Sequence, residues 1–180
     1  MEPAIGYRAW RMSESRLLSL VTPLVWEPQQ VQKARCLSDT IVAPYLRDPW
    51  RSLLPQHPSP SSSCSCGFYA AYRLADVMKS RFGRNARCLG AIAAWGRVVL
   101  HREGFRAESV QLLGLLLPAK DASSGDIANT VPTVGRAYGV PVFLKAEDLE
   151  AYATEFGTNY SPEPPKPPSR LSRLLRHLTD

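Results

Sequence analysis

The sequence predicts an α+β domain: a mostly antiparallel, partly barrel-like sheet packed by one main helix, with a long loop rich in Cys and Pro. Three observations predict it. From Ile5 to Met12 bulky and polar residues alternate, and a period of two marks a half-buried strand. The apolar runs 88–100 and 105–117 are joined by His101-Arg102-Glu103-Gly104, which has the composition of a hairpin turn. Residues 67–82 carry Phe68, Tyr72, Ala75, Met78 or Lys79, and Phe82 at the three-to-four spacing of a helical face, and Gly83 stops the pattern.

Each element follows in order. In the first strand Tyr7, Ala9 and Arg11 face one way, and Arg8, Trp10 and Met12 the other. Ser13-Glu14-Ser15 reads as a turn, and residues 17–26 as a second strand broken or edged at Pro23, which makes a first hairpin. Residues 28–35 read as one or two helical turns that deliver Cys36. Residues 37–66 form the loop: Pro44, Pro49, Pro55, Pro58 and Pro60 exclude regular helix, and Tyr45, Leu46, Trp50, Leu53 and Leu54 are available to pin it to the body. The main helix, 67–82, comes next. Gly90 and Gly96 make 88–100 a bent or bulged strand, and the hairpin it forms with 105–117 is placed at the centre of the sheet. Ser123 to Asp126 caps a short helix that starts near Val131, because Pro132 opposes an earlier start, and Gly139 ends it. Pro141 to Leu144 is a short strand. Residues 146–156 are a last helix with Leu149, Tyr152, Ala153 and Phe156 on one face. The domain spans 1–157, and 158–180 is a Pro-rich linker with a short basic amphipathic tail. Gly6-Tyr7-Arg8-Ala9 is echoed by Gly104-Phe105-Arg106-Ala107, a likeness attributed to similar strand chemistry.

The 180 residues are 44% hydrophobic and 21% charged, which excludes disorder of the whole chain. A net charge of +6 permits nucleic acid or an anionic surface as a partner. No apolar run reaches the ~20 residues of a transmembrane helix, and the start has no basic segment ahead of an apolar one, so a cytoplasmic location is expected.

The candidate chemistry lies in the thiols. Cys36, Cys64, Cys66 and Cys88 are the only cysteines. In a reducing compartment clustered thiols read as metal ligands or as reduced core residues. Zinc takes four ligands in a tetrahedron, and Cys36, Cys64 and Cys66 with either His57 or Cys88 supply them. A rival reading makes Cys66 a catalytic thiol: the dipole of a following helix favours its thiolate, and His101 serves as base with Asp126 or Asn129 orienting it. A third reading takes Arg73, Lys79, Arg81, Arg84 and Arg87, on and beyond the main helix, as a nucleic-acid or anion contact. In the tail Leu171, Leu174, Leu175 and Leu178 share one helical face, with Arg170, Arg173 and Arg176 around it, a surface suited to a partner.

Three blocks stand out together: Gly6-Tyr7-Arg8-Ala9-Trp10; Cys64-Ser65-Cys66-Gly67-Phe68-Tyr69-Ala70; and Trp95-Gly96-Arg97-Val98 with His101, Gly104, Arg106 and Ala107. They resemble a group of uncharacterised proteins from actinobacteria and their phages that share GYRxW, CxCGxYA and WGxVxxHxxGxRA blocks. The resemblance covers most of residues 5–145 and implies no activity. It implies that Cys36, His57, Cys64 and Cys66 belong together as one ligand set, with Cys88 outside it.

The reading that results is a non-enzymatic binding or adaptor protein with a structural Cys/His zinc site and an unidentified protein partner. The alternatives are a thiol-dependent enzyme using Cys66 and His101, and a nucleic-acid-associated regulatory factor using the basic helix and tail.

Overall fold

A computed structural model describes residues 2–13, 15–22, 24–36, 57–80, 83, 88–117 and 125–160. Ten elements run in the order β1 (Ala4–Ser13), β2 (Arg16–Leu18), β3 (Gln32–Lys33), β4 (Phe68–Ala71), α1 (Leu74–Lys79), β5 (Cys88–Leu100), β6 (Gly104–Leu116), α2 (Gly125–Tyr138), β7 (Val142–Phe143) and α3 (Ala146–Thr154).

The sheet is built on β6. Along one edge β6 pairs with β5 for nearly its whole length, from Leu100↔Phe105 to Leu89↔Leu116. Along the other edge it takes three short partners in succession: β4 at Phe68↔Ala107 to Ala71↔Gly104, β3 at Gln32↔Val110, and β7 in parallel at Leu115↔Val142. β1 lies antiparallel on β5 from Ala4↔Ala94 to Trp10↔Cys88, and it also meets β4 at Tyr7↔Ala71. The hydrogen bonds therefore run β1–β5–β6–β4 and back to β1, a ring closed at Ala71, which pairs with Tyr7 on one side and Gly104 on the other. Close approach is needed there: a Cβ on Gly6 would sit 2.7 Å from both Ala70 Cβ and the Phe105 ring.

Strand alternation sorts the side chains onto two faces. Ile5, Tyr7, Ala9, Leu89, Ala91, Ala93, Leu113 and Leu116 pack beneath Leu74 and Val77 of α1 and Leu149 and Ala153 of α3. Trp10, Trp26, Phe68, Ile92, Phe105, Val110 and Leu115 fill the other face with Val131, Val134 and Tyr138 of α2. The expected strand pattern of β1 and the bent second hairpin are both present. Register slips at Ala91/Ile92 and Trp95/Val98, and Gly96 takes φ +79° at the second slip. Gly139 ends α2 at φ +66°.

Several expectations need correction. The main helix predicted over 67–82 begins as strand β4, and only Leu74–Lys79 is helical. Phe68 and Ala70 are buried and Tyr69 is exposed, so the segment also satisfies a period of two, and the free edge of β6 decides between the patterns. The helical face that forms is Leu74 and Val77, not Ala75 and Met78. The second strand predicted over 17–26 folds back on itself, with Leu18 bridging Val25 and Trp26 N–H donating to Leu17 O at 2.9 Å. Residues 28–35 hold a turn and β3, not helix. α2 starts at Gly125 rather than near Val131; the fully buried Val131 and Val134 hold it on both sides of Pro132 and offset the roughly 3 kcal/mol such a proline costs. Thr158 extends the sheet by exchanging backbone bonds of 2.9 Å with Pro3 and Ile5, and Asn159 donates to Tyr72 O at 2.9 Å. The tail residues Arg170, Leu171, Arg173, Leu174, Leu175, Arg176 and Leu178 lie outside the described residues.

A candidate metal centre

Sheet register brings the thiols together. β3 and β4 lie on the same edge of β6, both antiparallel to it. β3 arrives with its C-terminal end toward the site: Lys33 pairs with Ser109, and Ala34 N–H donates to Glu108 O at 2.7 Å. β4 starts from the opposite side, with Phe68 pairing Ala107. Cys36 lies just past the end of β3 and Cys66 just ahead of β4, so both are delivered over the same stretch of β6 around Arg106.

The loop 57–66 supplies the rest. A ligand atom from each of Cys36, His57, Cys64 and Cys66 lies within 4.8 Å of every other, a cluster that could hold a metal ion. The Cys36 and Cys64 sulfurs are 3.7 Å apart, and none of the four cysteines is in a disulfide. That separation matches the edge of a tetrahedron with bonds of ~2.3 Å, which is ~3.8 Å. Cys36 and Cys66 are buried, while Cys64 and His57 are half-buried. Cys88 is elsewhere, buried in β5, with its thiol pushed up to about 12 by burial. The open choice for the fourth position thus falls geometrically to His57.

The loop is held from several sides. Arg106, 3% exposed, donates from Nη1 to Cys66 O at 2.9 Å and to Cys64 O, and from Nε to His101 Nε2 at 2.9 Å. Its guanidinium also lies 5.7 Å from the centroid of the Tyr69 ring, and Tyr69 OH donates to Ser65 O at 2.8 Å. Arg97 Nη1 donates to Pro58 O at 3.1 Å. Gly67 turns the chain into β4 at φ +114°, and a Cβ there would meet Pro60 Cβ at 2.9 Å and Arg106 Cβ at 3.2 Å.

The thiols share their hydrogen bonds unequally. Burial raises the pKa of Cys66, but the Ser59 hydroxyl, the Ser61 backbone and the Cys64 and Cys36 thiols outweigh it and hold Cys66 below the usual thiol range. At Cys64 a backbone bond from Cys66 lowers the pKa, while burial and the neighbouring thiols prevail and raise it. The Ser59 hydroxyl is buried with no hydrogen-bond partner at bonding geometry, beside the Cys66 thiol.

Among the described residues the thiol-enzyme arrangement is not assembled. Cys66 precedes a strand rather than a helix, so no helix dipole acts on it. His101 is bonded to Arg106, which reaches the backbone carbonyl of Cys66; among the described residues no hydrogen bond joins His101 to the thiol. Asn129 is exposed on α2, where its carbonyl accepts from Thr133. Of the proposed basic contact, Arg73 and Lys79 are exposed at the two ends of α1, and Arg81, Arg84 and Arg87 lie outside the described residues. Sequence reasoning misses Arg106, which stands in the motif block that ends at Ala107 and is only 3% exposed.

Comparison with protein-family models, with curated proteins and with solved structures finds no match. No helix among the described residues is long and apolar enough to cross a membrane.

Proposed function

We propose that the chain is a non-enzymatic binding protein whose Cys36, His57, Cys64 and Cys66 hold a structural zinc ion. The observation that carries this is the convergence of four ligand atoms within 4.8 Å of one another. Three thiolates and an imidazole in a tetrahedron suit zinc. Four protein ligands leave no open position for substrate or water, which is the mark of a structural rather than a catalytic site. His57 Nδ1 lies 3.2 Å from Pro58 O, and a proton shared there leaves Nε2 to coordinate. The Ser59 hydroxyl beside the Cys66 sulfur is placed to donate to a zinc-bound thiolate. The complex of Zn²⁺ with three thiolates carries a net charge of −1, and the Arg106 guanidinium beside it supplies the opposite charge.

The ion fastens loop 57–66 and the end of β3 to the central hairpin, and the loops so fixed serve to bind a protein partner. Reduced cysteines fit a cytoplasmic location. The likeness to the actinobacterial and phage group rests on the three motif blocks, and those blocks supply β1, the metal loop with β4, and the hairpin that carries Arg106.

Zinc per chain, measured on protein purified without chelator, tests the reading. One equivalent is expected, lost in Cys64→Ser/Cys66→Ser together with stability. A metal-free wild-type chain, or a double variant that folds as stably as wild type, overturns it.

A further inference from the structure

Among the described residues, the buried side-chain atoms without a hydrogen-bond partner are Arg8 Nε, Arg8 Nη1, Trp10 Nε1, Trp26 Nε1 and Ser59 Oγ. Ser59 belongs to the metal centre. The other four form one cluster: the Arg8 guanidinium lies 5.3 Å from the Trp10 ring centroid and 4.8 Å from that of Trp26, and the two indoles meet edge to face at 5.1 Å. All four are donors. A buried unsatisfied donor is costly, and a buried charge without its partner costs more. Indole faces attract a guanidinium but accept none of the in-plane N–H bonds.

No carboxylate among the described residues is bonded to Arg8. Its remaining nitrogen, Nη2, donates to Ser19 Oγ at 3.4 Å, and Arg11 Nη2 donates to the carbonyl of the same residue at 3.4 Å. Two guanidinium groups thus approach one serine. Burial also lowers the Arg8 pKa to about 10, the direction expected of a cation that lacks a counter-charge. The Arg8 residue as a whole is half-buried, Ser19 is buried and Arg11 is exposed. The sequence echo sharpens the contrast. Arg106 occupies the equivalent place in Gly104-Phe105-Arg106-Ala107 and spends its donors on two carbonyls and an imidazole; Arg8 has only the serine.

We propose that Arg8, Arg11, Ser19 and the Trp10 and Trp26 indoles form a binding site for a small oxyanion of the phosphate class, free or as the phosphoryl group of a ligand. Arginine pairs suit phosphate, and a phosphate carrying about −1.5 to −2 at neutral pH comes closer to balancing two guanidinium charges than chloride does. The site is independent of the metal centre.

The test is a titration of the full chain with sodium phosphate, sodium sulfate, phenyl phosphate or sodium chloride at constant ionic strength, read by tryptophan emission and by Tm. Phosphate is expected to change both saturably, because binding to the native state alone stabilises it. Arg11→Gln, an exposed change, is expected to weaken the apparent affinity at least tenfold, and Arg8→Met to abolish the response. Phenyl phosphate binding more tightly than phosphate assigns a phosphoryl-bearing ligand; equal binding assigns the free anion. No saturable response to phosphate, a chloride response equal to it, or wild-type affinity in Arg11→Gln overturns the proposal. Should Arg8→Met not fold, the wild-type and Arg11→Gln titrations decide.

Discussion

Replacing Arg106 by leucine removes the contact that holds the metal loop on the sheet. Arg106 bonds the carbonyls of Cys64 and Cys66 and the His101 ring, and is itself only 3% exposed. A hydrogen bond to a charged donor is worth about 1.5–3 kcal/mol. Its contact with the Tyr69 ring adds about 0.5–2 kcal/mol. Leucine leaves both carbonyls without their donor and fills only part of the space. The bonds share one side chain and are not additive, so the expected loss is about 3–5 kcal/mol in urea unfolding of the zinc-loaded chain. Zinc affinity, read by competition with a chromophoric chelator, is expected to fall about 10–100-fold, as for other groups that orient metal ligands. Arg106→Lys keeps the charge but offers one point donor in place of a planar fork, and it is expected to fall between the two. A loss under about 0.5 kcal/mol with unchanged zinc affinity in Arg106→Leu refutes the reasoning.

Three further outcomes follow from the same geometry. Cys88→Ala is expected to keep the wild-type zinc content, measured by metal analysis, because Cys88 is buried in β5 away from the cluster. The same variant bears on alkaline stability: the thiol ionises near 9.0 when unfolded and near 12 when folded, so the unfolded chain binds fewer protons between those values. Stability is then fully present below about pH 9 and falls as pH rises toward 12, by up to about 1.4 kcal/mol per pH unit from this group; Cys88→Ala is expected to show a shallower decline in denaturant midpoints between pH 9 and 11. Gly67→Ala is expected to destabilise by about 1–3 kcal/mol in urea unfolding, since alanine is strained at φ +114° and its Cβ would press on Pro60.

β1 and the hairpin β5–β6 were legible because β1 alternates bulky and polar residues, while β5 and β6 read as long apolar runs, as strands covered on both faces do. Residues 68–71 were not. Phe68 and Tyr72 satisfy a helical spacing as well as a strand spacing, and the choice depends on the free edge of β6, which is remote in sequence. α2 shows the same limit in reverse, since Val131 and Val134 reach a core that the local rule for Pro132 does not include. The cysteine and histidine cluster was legible from residue type alone, but choosing His57 over Cys88 needed the register that puts Cys88 opposite Trp10. Arg106 escaped notice because a strand arginine usually faces water, and only the fold shows it pointed at two carbonyls.

X-ray absorption at the zinc edge of the purified chain tests the central claim most directly. The account predicts about one zinc per chain with three sulfurs at ~2.3 Å and one nitrogen at ~2.0–2.1 Å. A chain without zinc, or zinc bound mainly by oxygen, would contradict it.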